Sequence, residues 1–131
     1  MTTPTQPTRR TDGLTAIAAY HFVIASMFVL GALFFTIPTV ILGVVGVVED
    51  AGAFIGMAAV ALIATTLMAL SLLYIIVGYG VWTLRGWARL GAMALGVVSL
   101  MFVPLGTLAG GLILWYMLKP DVAALFEPSA R

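Results

Sequence analysis

The only histidine of the chain, His21, lies in an apolar stretch and is the residue best suited to chemistry. Inside an apolar helix, an imidazole can ligate the metal of a haem or a chlorophyll, or relay protons. The alternative is a neutral histidine that hydrogen-bonds to a tyrosine or a main-chain carbonyl group. Because the chain has no cysteine and no second histidine to complete a site, we favour the structural role. We therefore expect no bound cofactor and no metal site.

A group of aromatic and basic residues is the second candidate, for binding a lipid headgroup or a small anion. The alternative, which we favour, is a belt of interfacial rings with arginines that extend towards water. In the predicted helices these residues fall near the same end of the molecule as His21. They are Tyr20, Tyr74, Tyr79, Trp82, Arg85, Arg89, Trp115 and Tyr116.

The acidic pair Glu49 and Asp50 is poorly arranged for acid–base catalysis, because neighbouring residues of a helix point about 100° apart. We expect the pair in a solvated loop, although in a ring-shaped oligomer these carboxylates would form a mouth that attracts cations. The serines and threonines of the apolar stretches can bond to carbonyl groups of their own helices, and no base accompanies them. We therefore expect no catalytic residue and no enzyme.

The amino-acid composition indicates whether the chain is surrounded by water or by lipid. Of the 131 residues, 63% are hydrophobic and 8% are charged, against roughly 45–50% and about 25% in soluble globular domains. So few charges cannot cover a surface in water, and the bilayer must be the solvent. The net charge of +1 excludes the basic surface that nucleic-acid binding requires.

The apolar runs predict an all-α polytopic membrane protein, a bundle of four transmembrane helices that run up and down. The first helix is retained rather than cleaved as a signal peptide, and it ends before Pro38, with residues 39–48 as an outer interfacial segment. Helices three and four form a short hairpin that either spans the bilayer, which we favour, or re-enters on the side where it began. A disordered cytoplasmic tail and a short interfacial tail, with a helix starting at Pro120, flank the bundle. The predicted boundaries are 1–12 for the first tail, 14–37, 53–84, 88–103 and 105–118 for the helices, and 119–131 for the second tail.

All basic residues fall on one side of this predicted bundle. Loops that carry Lys and Arg stay in the cytoplasm, so both termini are expected there, in a multi-pass protein of the prokaryotic plasma membrane. The residues are Arg9, Arg10, Arg85, Arg89, Lys119 and Arg131.

Small residues at four-residue spacing predict where helices pack, because close approach replaces the hydrophobic effect between helices in lipid. Two GxxxG pairs start helices two and four, and a third series lies on helix three. We favour packing within one protomer over packing between protomers. The residues are Gly52 and Gly56, Gly106 and Gly110, and Ala88, Ala92 and Gly96.

Three stretches, GLTAIAAYHF, GYGVWTLRGWARLGAMAL and FVPLGTLAGGLILWYMLKPDVAALF, resemble a group of small four-helix integral membrane proteins of bacteria and archaea. The resemblance covers about residues 13–126. It implies the four-helix fold and its topology, and it brings no assigned activity. The matching positions are Trp82, Arg85, Trp87, Arg89, Pro104, Gly106, Thr107, Pro120 and Phe126.

A chain rich in packing signals and without a catalytic motif is expected to act by association. We predict a non-enzymatic accessory or structural subunit of a larger membrane complex, or a homo-oligomer, with membrane lipids as further partners. The alternatives are a small channel or transporter, and a lipid- or cofactor-binding membrane protein. Transporters usually keep charged or broken-helix sites near the midplane, and the predicted spans contain none.

Overall fold

The computed structural model describes residues 11–48 and 51–127, and this part of the chain contains five helices and no strand. The all-helical class is thereby confirmed for these residues. The helices are α1 (Asp12–Val48), α2 (Ala51–Trp82), α3 (Gly86–Ser99), α4 (Leu105–Met117) and α5 (Pro120–Leu125).

The helices α1 and α2 are both long and apolar enough to cross a membrane. With 37 and 32 residues, they extend about 55 Å and 48 Å at 1.5 Å per residue. In an apolar solvent, a single segment can satisfy its main-chain polar groups by forming a helix, because the hydrogen bonds of a helix lie within the segment.

Helix α1 continues through Pro38 and includes residues 39–48, whereas the sequence predicted that it ends at residue 37. A proline removes one main-chain donor and costs about 3 kcal/mol in a helix in water. In an apolar solvent, leaving the helix would expose more unsatisfied groups than continuing it. The hydroxyl groups of Thr36 and Thr39 add hydrogen bonds of 2.8 Å to the carbonyl oxygens of Ala32 and Phe35, on either side of the proline.

The chain divides into two compact units. We call His21–Ile76 the hairpin unit, since it consists of most of α1 and α2. The terminal unit comprises the described parts of Met1–Tyr20 and Val77–Arg131, which include the start of α1, the end of α2, and α3 to α5.

Small and polar residues form the core of the hairpin unit, where α1 meets α2. His21, Ala25, Ala32, Ser71 and Tyr74 are all buried. Farther along the hairpin, a methyl group in place of the Gly43 hydrogen would lie 2.9 Å from the sulphur of Met57. The absence of a side chain at this glycine therefore leaves room for the Met57 side chain.

Helix α2 ends at Trp82, two residues earlier than predicted, because Leu84 has a φ of 55°. The amide of Arg85 donates to the Gly80 carbonyl at 2.9 Å, and that of Leu84 donates to the Val81 carbonyl at 3.2 Å. These two bonds form a Schellman motif, which closes the end of a helix with a left-handed residue.

The helices α3 and α4 form a hairpin in the terminal unit, with small residues at their contact. Helix α3 ends at Ser99 instead of the predicted residue 103, and a turn follows. The Thr107 hydroxyl donates to the Leu100 carbonyl at 3.0 Å and so closes this turn. Helix α5 begins at Pro120, the residue at which the sequence predicted a helix, and Val122 and Phe126 are buried.

Candidate functional site

An open groove of ≈ 270 Å³ lies in the terminal unit between the start of α1 and the second half of α4. Most of its wall is apolar, and small residues on both helices leave the space open. The lining residues are Gly13, Ala16, Ile17, Tyr20, Ala109, Leu112, Ile113, Trp115 and Tyr116.

One end of the groove is polar because the ring of Tyr116 reaches across to the start of α1. Its hydroxyl group donates a 2.8 Å hydrogen bond to the hydroxyl oxygen of Thr11. The ring lies against Gly13, where any side chain would overlap it. The glycine is therefore required for this contact.

A positive charge lies at the same end of α4. The ammonium nitrogen of Lys119 is 3.8 Å from the centroid of the Trp115 ring and 5.5 Å from that of Tyr116, so it makes a cation–π contact. The Nε of Arg89 donates to the Met117 carbonyl at 3.1 Å and brings a second positive charge to the carboxyl end of α4. There both charges complement the helix dipole.

The eight residues predicted as an anion or lipid pocket do not all come together. Tyr20, Trp115 and Tyr116 line the groove, and Arg89 reaches the same end of α4. The other members of the set do not line it: Tyr79, Trp82 and Arg85 are exposed, and Tyr74 belongs to the core of the hairpin unit.

Sequence reasoning missed Lys119, Thr11 and the small residues of the groove wall as parts of this site. The spacing of four residues between Trp115 and Lys119 was the available signal for the cation–π contact. The contact of Thr11 with Tyr116 joins residues 105 positions apart, and no local pattern could reveal it.

His21 is fully buried in the hairpin unit, and its ring centroid lies 5.6 Å from that of Tyr74. The Tyr74 ring in turn lies 5.5 Å from Phe28. A role of His21 as a metal ligand therefore stays untested, and packing against Tyr74 is what the geometry shows. No group of three or more His, Cys, Asp or Glu residues that could hold a metal exists among the described residues.

Most of the small residues predicted for packing face a neighbouring helix. Ala88, Ala92, Gly96 and Gly110 are buried, and a side chain at Gly110 would overlap the carbonyl oxygen of Gly96. This contact between α3 and α4 lies within the chain. A side chain at Gly106 would likewise overlap the Ser99 carbonyl, and a Cβ at Gly56 would touch Leu42. Gly52, in contrast, is exposed.

The acidic pair, Glu49 and Asp50, lies outside the described residues. Its predicted place in a solvated loop stays a prediction.

Comparison of the chain with protein-family models, with characterised proteins and with solved structures finds no match. The resemblance to small four-helix membrane proteins, and the topology that it implies, therefore stay predictions.

Proposed function

We propose that this chain is a non-enzymatic integral membrane protein of the prokaryotic plasma membrane, with both termini in the cytoplasm. It acts by association, as a homo-oligomer or as an accessory subunit of a membrane complex, and it uses the outer part of the hairpin unit for contact. The exposure of apolar side chains on the two long helices carries this proposal.

The most apolar 18-residue windows of α1 and α2 are only 6% and 17% buried. A long apolar helix in the core of a soluble protein would be mostly buried instead. Leaving side chains such as Phe34, Ile55 and Leu62 in water would cost about 1.5–3 kcal/mol each, and all three are exposed. Lipid or another protein must therefore cover these helices.

The length of α1 supports protein contact beyond the lipid. A helix at a tilt of 40°, the upper end of the usual range, crosses a 30 Å hydrocarbon core in about 39 Å. Of the roughly 55 Å of α1, about 15 Å would then extend past the hydrocarbon. This outer part carries exposed apolar residues, among them Val40, Ile41 and Val44, and a partner surface would shield them from water.

The α3–α4 hairpin supports a re-entrant arrangement, the second choice of the sequence analysis. From Gly86 to Met101 the chain rises about 23 Å, less than the hydrocarbon thickness of about 30 Å. The tip is apolar, and Met101, Val103 and Leu105 are 79–82% exposed. A tip of this composition is stable inside the hydrocarbon and unfavourable in the outer water.

Two main-chain amides of this tip are bonded within the chain. The amide of Phe102 donates to the Ser99 carbonyl at 3.0 Å, and that of Gly106 donates to the Phe102 carbonyl at 2.7 Å. Each such bond removes the cost of placing an unsatisfied main-chain group in hydrocarbon. A re-entrant hairpin keeps all basic loops on one side, so the cytoplasmic location of both termini is retained.

Within residues 11–48 and 51–127, no observation favours a channel or transporter. The hydroxyl groups of Thr65 and Ser99, which a pore would need as polar lining, donate at 2.8 Å to the carbonyl oxygens of Ala61 and Leu95 in their own helices.

The mass of the purified protein in mild detergent tests the proposal. We expect a multiple of the 13.8 kDa chain, or a complex with a second membrane protein. Val44→Trp should reduce the associated fraction, because it adds bulk to the outer surface of α1. Val23→Trp is the matched control: both valines are exposed on α1, at 64% and 58%, but Val23 lies within the proposed hydrocarbon. A monomer without a co-purifying protein would count against association.

A further inference from the structure

The groove between α1 and α4 has an apolar wall and a positively charged end, which matches the polarity of an anionic phospholipid. We propose that it binds one such lipid, with an acyl chain in the groove and the phosphate beside Lys119. The inference rests on the membrane location proposed above, and it is independent of association.

The apolar part of the groove fits the part of an acyl chain nearest the headgroup. It runs from Gly13 to Tyr20 on α1 and from Ala109 to Tyr116 on α4, about 10 Å along each helix. One leaflet contributes about 15 Å of hydrocarbon, so the groove would hold the part of the chain nearest the headgroup. Small residues on both helices, among them Ala16 and Ala109, leave this space open.

The polar end of the groove fits a phosphate group. The cation–π contact holds the ammonium group of Lys119 against the ring of Trp115, a residue that lines the groove. The hydroxyl groups of Tyr116 and Thr11 lie at the same end, and Arg89 adds positive charge at the carboxyl end of α4. A basic side chain near an anionic lipid contributes a preference of about fivefold. Free phosphate would leave the apolar wall uncovered, so a lipid satisfies both parts of the site.

Native mass spectrometry of the full chain, purified in mild detergent and incubated with defined lipids, tests this proposal. The probes are dioleoyl phosphatidylglycerol and dioleoyl phosphatidylcholine, which differ in headgroup charge but not in chains. We expect retention of one phosphatidylglycerol per chain, preferred over phosphatidylcholine by about fivefold or more. Lys119→Gln should reduce this preference by about fivefold, whereas Arg85→Gln, which removes an exposed charge outside the groove, should leave it unchanged.

The acyl part of the site has its own pair of variants on α4. Ala109→Leu fills the groove and should abolish retention of both lipids. Gly111→Leu is the control, since nothing lies within 4 Å of a side-chain carbon built at Gly111. Circular dichroism of each variant shows whether the helices persist. Equal retention of the two lipids by the native chain, or equal effects of Ala109→Leu and Gly111→Leu in folded protein, would overturn the proposal.

Lipid retention and association give separate results in this experiment. A monomer that retains phosphatidylglycerol would contradict the proposed function and support the lipid site. An oligomer without preference for the anionic lipid would support the proposed function and contradict the lipid site.

Discussion

The hydroxyl group of Ser71 on α2 donates a 3.0 Å hydrogen bond to the main-chain carbonyl of Ala25 on α1. Ser71 is fully buried, and Ala25 is 2% exposed. The two threonines of α2, Thr65 and Thr66, instead donate to carbonyl groups one turn earlier in the same helix. Ser71, unlike these threonines, therefore links the two long helices through its hydroxyl group.

Removal of this link should destabilise the hairpin unit modestly. We expect Ser71→Ala to lower the free energy of unfolding by about 0.6 kcal/mol, the average for such bonds in membranes. Ser71→Leu should cost more, about 1–3 kcal/mol, because the site has no room for a larger side chain. Unfolding in sodium dodecyl sulphate, followed by circular dichroism, measures both. Thr66→Ala is the control. If it lowers the free energy of unfolding as much as Ser71→Ala does, the interhelical bond contributes nothing to stability.

Because α3 packs against α4, two adjacent glycines of α4 should differ in how well they tolerate a side chain. Gly110→Ala places a methyl group against the Gly96 carbonyl and should lower the free energy of unfolding by about 1–3 kcal/mol. Gly111→Ala meets no atom within 4 Å and should change it by no more than about 0.5 kcal/mol. Thermal unfolding in detergent compares the two. Similar midpoints for both variants would contradict the packing described for this hairpin.

His21 is expected to act through packing against Tyr74. His21→Ala should lower the free energy of unfolding by about 2–5 kcal/mol, because it leaves a cavity at a fully buried position. Met27→Ala, at an exposed position of α1, should cost about 0.5 kcal/mol or less. An absorption spectrum of the native protein provides a second readout. We expect no band above the aromatic region, and a band lost in His21→Ala would instead assign a ligand role to this histidine.

The proposed topology can be mapped with single cysteines, since the chain contains none. A membrane-impermeant maleimide should label Gly52→Cys in intact cells, and Thr83→Cys only after permeabilisation. Val103→Cys, at the tip of the α3–α4 hairpin, should stay unlabelled in both conditions, because the proposed tip lies in hydrocarbon. Labelling of Val103→Cys from outside would establish a spanning hairpin, and labelling of Thr83→Cys in intact cells would invert the topology.

The apolar runs were sufficient to predict the helical class of the described residues, because this class depends on local composition. The prediction for α4 was accurate to one residue at its end, since Pro104 and Lys119–Pro120 bracket one short apolar run. The errors came where a local rule competed with the solvent or with backbone geometry. Pro38 did not end α1, and the left-handed conformation of Leu84 ended α2 early.

The candidate site was only partly predictable from the sequence. Tyr20, Trp115 and Tyr116 were recognised as interfacial rings, but the sequence could not separate them from Tyr79 and Trp82, which have similar surroundings along the chain. Which rings share a groove depends on contacts between distant segments.

By itself, the sequence determined the helical class of the described residues and the apolar character of the two long helices, because both properties are sums over residue types and their short-range order. Only the tertiary structure decided which small residues permit contact, as Gly110 does and Gly111 does not. It also decided that Tyr116 and Thr11 meet beside Gly13. Such pairings depend on the rotation of each helix about its axis and on the approach of residues far apart in the chain. Composition determines neither of these.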